Sequence, residues 1–69
     1  MKRLQYERLQ RGVSQESLAR AARLHQTHVS QIERGVWVPG PIVLERLAAV
    51  LGVPADELLK PVAIERNRE

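Results

Sequence analysis

Gln26, Thr27, Ser30, Gln31 and Arg34 are the residues whose types and spacing most suggest chemistry. On a helical wheel of about 100° per residue, Thr27, Ser30, Gln31 and Arg34 fall on one side, and Val29, Ile32 and Glu33 on the other. Amides and hydroxyls both donate and accept, so this row suits adenine N6/N7 and other base edges in a DNA major groove. The same row would also serve as a plain hydrated surface, although hydrated helix faces usually carry Lys and Glu. No nucleophile, base and orienting group recur at usable spacing, and no glycine loop is built to cradle phosphate, so catalysis is not expected. With no cysteine in the chain, disulfides and thiolate zinc sites are excluded. His25 and His28 stand at a ligand-like i, i+3 spacing with no third ligand nearby, so neither a metal nor any other cofactor is expected.

The elements that must position this row are short helices. Gly12, Gly35, Pro39-Gly40-Pro41, Gly52, Pro54 and Pro61 cut the chain into segments of about ten residues. Apolar residues then recur at threes and fours, as in Leu18, Ala19, Ala22 and in Leu44, Leu47, Ala48, Leu51. No alternating pattern lasts long enough for a strand. The spacing predicts five helices, at 2–10, 15–22, 26–34, 41–51 and 55–59. Ser14 is the expected N-cap of the second, Gly40-Pro41 opens the fourth, and Gly52 closes it. Arg23-Leu24-His25 leaves a tight link between the second and third helices, which defines a helix-turn-helix. In that motif the N-terminal end of the second member, here Gln26 and Thr27, enters the groove, and the free amides at Ser14-Gln15 suit a backbone phosphate.

Size and charge narrow the possibilities further. The 69 residues hold 43% hydrophobic and 3% aromatic residues, enough for one small domain. Such a core supplies about 3–5 kcal/mol, so support from a partner bound to the folded state is expected. No apolar run approaches the roughly 18 residues of a membrane span, and no signal peptide follows Met1, so a soluble cytoplasmic protein is expected. Tyr6 and Trp37 alone cannot form the stacking platform of single-strand binders. The net charge of +3 is polarised: residues 1–35 carry a net +4 and residues 36–69 a net −1. A basic half is what a polyanion partner selects.

Residues 8–19, Arg-Leu-Gln-Arg-Gly-Val-Ser-Gln-Glu-Ser-Leu-Ala, together with residues 29–35, Val-Ser-Gln-Ile-Glu-Arg-Gly, resemble the Xre/Cro family of phage-repressor-like helix-turn-helix proteins. Residues 44–54 and Glu57-Leu58-Leu59 match the last two helices of the same domain. The resemblance covers residues 2–60 and implies an all-α, compact five-helix lambda-repressor-like domain over 1–60, with residues 61–69 as a tail, an arm or disorder. It implies a sequence-specific transcriptional regulator, in the first instance a repressor, that binds double-stranded DNA at a near-palindromic operator as a homodimer. Gln26, Thr27 and Gln31 would read bases, with Ser14, Gln15, Ser30, Arg34 and Arg11 at phosphates or the footprint's edge. Arg8 and Glu33 match a pair that forms a largely buried salt bridge, and the wheel independently puts Glu33 on the buried arc. The alternative on the same fold is a protein-interaction module, such as the antitoxin of a toxin pair.

Several positions depart from the family pattern. Arg23 stands where a glycine usually closes the second helix, at about 1 kcal/mol if the backbone there is left-handed. His25 stands where Ser or Thr usually caps the recognition helix, leaving Thr27 or a shifted start to supply the cap. Protonated His25 or His28 would reach phosphate, or both are surface histidines. Val36-Trp37-Val38 is apolar where polar or basic residues are common. Trp37 is open to three roles: a lid on the core, a dimer contact with Val36 and Val38, or a DNA contact through the indole NH. Val62 and Ile64 suit an extended arm as well as they suit disorder. The nine residues after position 60 are too few for an effector domain, so regulation through concentration, a partner or proteolysis is expected.

Overall fold

A computed structural model describes residues 1–62. Four α-helices form, each where local signals place it: α1 (Arg3–Gln10), α2 (Gln15–Ala21), α3 (Gln26–Arg34) and α4 (Pro41–Leu51). At the start of α2 the Ser14 hydroxyl accepts from the Ser17 amide at 3.0 Å, filling one of the donors that a helix start leaves open. Pro41 occupies the first turn of α4, where no amide is required.

The expected fifth helix at 55–59 is instead a single 3-10 turn, Ala55–Glu57. In the short stretch between Pro54 and Pro61 the amides reach only three residues back, Glu57 to the Pro54 carbonyl at 3.0 Å and Leu58 to the Ala55 carbonyl at 3.2 Å, and the carbonyls that follow pair with the start of the chain. The Leu4 amide donates to the Leu58 carbonyl at 2.9 Å and the Arg3 amide to the Lys60 carbonyl at 2.8 Å. Two carbonyls that a continuing helix would use internally thus serve the open first turn of α1. Lys2 and Pro61 complete the join as an isolated antiparallel bridge, and the Val62 amide donates to the Met1 carbonyl at 2.9 Å. Among the described residues there is no strand. The tail beyond Val62, including the arm expected around Ile64, lies outside the described residues.

Each helix is followed by one residue in the left-handed conformation: Gly12, Arg23, Gly35 and Gly52. Arg23, at φ 63°, is the exception in type. Around it the Leu24 amide donates to the Ala19 carbonyl at 2.7 Å and the Arg23 amide to the Arg20 carbonyl at 3.2 Å, the paired bonds of a Schellman motif. That turn sends the chain from α2 into α3, which pack closely on each other. Leu4, Leu18, Val29, Ile32, Leu47 and Leu58 are fully buried at the centre, so every α-helix and the residue that follows the 3-10 segment contribute to one core. Among the described residues no helix is long and apolar enough to cross a membrane.

Replacing Arg23 by glycine removes the left-handed penalty while leaving both turn hydrogen bonds in place. Arg23→Gly is expected to stabilise the fold by about 0.5–1 kcal/mol, less the entropy that glycine adds to the unfolded chain. The melting temperature should rise by roughly 2–6 °C, and a lower value would contradict the turn geometry.

Candidate nucleic-acid interface

The site is built around a buried ion pair. Arg8 on α1 and Glu33 on α3 meet in a two-pronged contact, Nε to Oε2 at 2.7 Å and Nη2 to Oε1 at 3.0 Å. Their side chains are 9% and 3% exposed, so neither charge can rely on water. Every polar atom of the pair has a partner. Arg8 Nη1 donates to the Val13 carbonyl at 2.9 Å, and Gln15 Nε2 donates to Glu33 Oε1 at 2.9 Å. No buried side-chain polar atom among the described residues lacks a partner. Four segments are therefore tied at one point: α1, the turn at Val13, the first residue of α2, and the last turn of α3.

Held this way, α3 turns Val29, Ile32 and Glu33 inward, as the wheel indicates. Gln26, Thr27 and Arg34 are exposed, and Ser30 and Gln31 are half-buried. The row of amides and hydroxyls is therefore contiguous on the outer side of the helix. At the N-terminal end of α3, His25 is the cap position and His28 Nδ1 accepts from its amide at 3.4 Å, so the cap comes from His28 and not from Thr27. At the other end the Arg34 guanidinium leans over the Ser30 carbonyl at 3.4 Å, an exposed and loose contact.

With this geometry, the chain matches the helix-turn-helix family HTH_3 over residues 4–58. A hypothetical transcription factor from Neisseria meningitidis serogroup B is 46% identical over 54 residues, 78% of this chain and 51% of that protein. YazB of Bacillus subtilis, an uncharacterized HTH-type transcriptional regulator, is 33% identical over 60 residues, 87% of each chain. The crystal structure of the hypothetical transcription factor NHTF from Neisseria matches with a TM-score of 0.76 at 43% identity, covering 84% of this chain and 65% of that one. The chain is an Xre/Cro-like helix-turn-helix protein. It spans about half the length of the Neisseria relative.

Two residues expected at phosphates have other work in this helix-turn-helix unit. Arg11 donates through Nη1 to the Glu7 carbonyl at 2.9 Å and to Glu7 Oε1 at 2.5 Å, and through Nη2 to the Leu51 carbonyl at 2.5 Å. Its guanidinium thus braces α1 against the last turn of α4, where the carbonyls lack helical partners. Gln15 gives one amide N–H to Glu33. The periodicity of α2 carried this signal, since Gln15, Leu18, Ala19 and Ala22 fall at i, i+3, i+4 and i+7 on the inward stripe.

Trp37 is half-buried against the core, with its ring centroid 5.2 Å from that of His28 and tilted 45°. It therefore closes the core beside α3. Its neighbours Val36 and Val38 are 65% and 70% exposed, and Ile42 at the start of α4 is 68% exposed. Ile42 was not marked by sequence reasoning, although its position off the Leu44, Leu47, Leu51 stripe of α4 predicts exposure.

Arg8→Ala leaves Glu33 buried with only Gln15 as a partner and is expected to cost about 3 kcal/mol, measured by chemical denaturation. Wild-type stability would remove the pair from its structural role. A second expectation concerns Glu7, whose carboxyl is held below its ordinary value by the hydrogen bond from Arg11 and then by that from Arg3. A carboxylate with a lowered folded-state pKa stabilises the fold fully above its unfolded value of about 4.3 and loses that contribution as pH falls through the folded one. Glu7→Gln should therefore reduce stability at pH 7 and flatten the acid limb of stability against pH. Acid limbs that run parallel in the two proteins would contradict this.

Proposed function

We propose that the chain is a DNA-binding transcriptional regulator that reads duplex sequence through the outer face of α3 and acts as a repressor by occupying a near-palindromic operator. The observation that carries this reading is the uncharged hydrogen-bonding row on α3, fixed against the start of α2 by Arg8, Glu33 and Gln15. Gln26, Thr27 and Gln31 present amides and a hydroxyl to base edges. Ser14, Ser30 and Arg34 sit where phosphate contacts set the register, and the part of the Gln15 amide not given to Glu33 serves the same end. Basic side chains from the first half of the chain supply the salt-dependent share of affinity.

A homodimer would place two copies of α3 in successive major grooves about 34 Å apart. Val36, Val38 and Ile42 form the exposed aliphatic surface that supports such pairing, with Trp37 behind it as structural backing. A regulator of this kind acts in the cytoplasm, on chromosomal DNA. The same aliphatic surface is also what favours the second reading, an interaction module that takes a protein partner, such as an antitoxin.

Selection of bound sites from a random duplex pool tests the proposal. It should yield a two-fold symmetric consensus with one half-site per subunit, while weak binding spread evenly across the pool would favour the interaction module. Gln31→Ala should then cost about 1–3 kcal/mol at one symmetric base pair and leave nonspecific affinity nearly unchanged. Equal weakening on every sequence would reassign Gln31 to the backbone.

A further inference from the structure

Between the C-terminal end of α2 and the outer side of α4 lies an open groove of about 230 Å³, lined by Ala21, Ala22, Arg23, Arg46, Ala49 and Val50. Its floor is aliphatic and its rim carries two guanidinium groups. Arg3, Arg8, Arg11 and Arg20 each have a carboxylate within ion-pair distance, whereas among the described residues Arg23, Arg34 and Arg46 have none, and two of these three line the groove. Arg23 is also the residue that holds a left-handed backbone where the ends of the other helices use glycine. A strained position kept for a charged side chain points to a use for that side chain.

We propose that this groove docks an acidic peptide segment of a partner protein, with an aliphatic side chain on the Ala21, Ala49 and Val50 floor and carboxylates on Arg23 and Arg46. Guanidinium groups take carboxylates in a two-pronged geometry, so a pair of them flanking an apolar floor selects acidic residues on either side of an aliphatic one. The volume is below the roughly 300–1,000 Å³ of small-molecule sites. A second copy of this chain is a poor occupant, because a two-fold contact would bring Arg23 and Arg46 of both copies together. A DNA backbone would satisfy the guanidinium groups but would gain nothing from the floor. Neither arginine belongs to the base-reading row on α3, so the inference stands apart from the base-reading proposal.

The test selects peptides from a displayed library of random dodecamers on the full chain, then measures the strongest synthetic peptide on wild type and on the Arg23→Glu/Arg46→Glu variant. The selected peptides should share acidic residues around an aliphatic one, and charge reversal should weaken binding at least about tenfold. Arg23→Gly/Arg46→Ala, which relieves the strained backbone, should also lose the peptide and gives the same reading if charge reversal prevents folding. Each variant should keep the wild-type preference for the selected duplex over a scrambled one, while its absolute duplex affinity falls with the positive charge removed. Selected peptides without acidic residues, or equal binding to wild type and both variants, would overturn the proposal. A wild-type-selected duplex that displaces the bound peptide would also overturn it, by giving the two arginines to the phosphate backbone.

Discussion

The setting of α3 in this small helix-turn-helix protein depends on one buried ion pair. Arg8 and Glu33 lie on different helices, nearly out of contact with water, and Val13 and Gln15 supply further hydrogen bonds to them. Such a pair adds little net stability over apolar residues of the same volume, because desolvation offsets most of the attraction. Its directional demands are the larger consequence. A two-pronged contact is satisfied in a narrow range of positions, so the last turn of α3 and the first residue of α2 must stand in one relation to α1. That relation presents the outer row of α3 beside the start of α2.

The rest of the chain works around this constraint with few residues. A core centred on six fully buried side chains leaves little margin, and the ends of the helices are therefore closed with care. Ser14 and His28 cap the starts of α2 and α3, left-handed residues turn the chain after all four helices, and carbonyls of the 55–60 segment cap α1. Arg11 adds a brace between α1 and the end of α4. The residual strain at Arg23 sits in the link between the two helices of the motif, so it is stored beside function and not in the core. A bound duplex or partner adds stability by mass action.

What could be read from residue order is what local physics decides. The bounds of α3 and α4 and the N-terminus of α2 follow from caps, prolines and glycines a few residues away, and the inward position of Glu33 follows from its place on a wheel. The resemblance to the Xre/Cro family rested on the same stretches and agrees with the family match over residues 4–58. What could not be read depends on distant parts of the chain. The fifth helix gives way to a 3-10 turn, and the Leu58 and Lys60 carbonyls after it pair with the start of α1. Arg11 turns to α4 because the Leu51 carbonyl lies within reach, and Trp37 turns inward onto His28. Gln15 is the intermediate case: it is expected at a phosphate, its place on the α2 wheel is inward, and the fold shows that it gives an N–H to Glu33.

If the ion pair serves mainly to orient α3, replacing it with apolar residues should separate stability from reading. The decisive measurement is duplex binding by an Arg8→Met/Glu33→Leu variant, compared on the operator selected by the wild-type chain and on a scrambled duplex. The account predicts a folded protein of near wild-type stability whose preference for the operator falls at least about tenfold, a loss of roughly 1.4 kcal/mol of discrimination. An equally stable variant that discriminates as wild type does would contradict it.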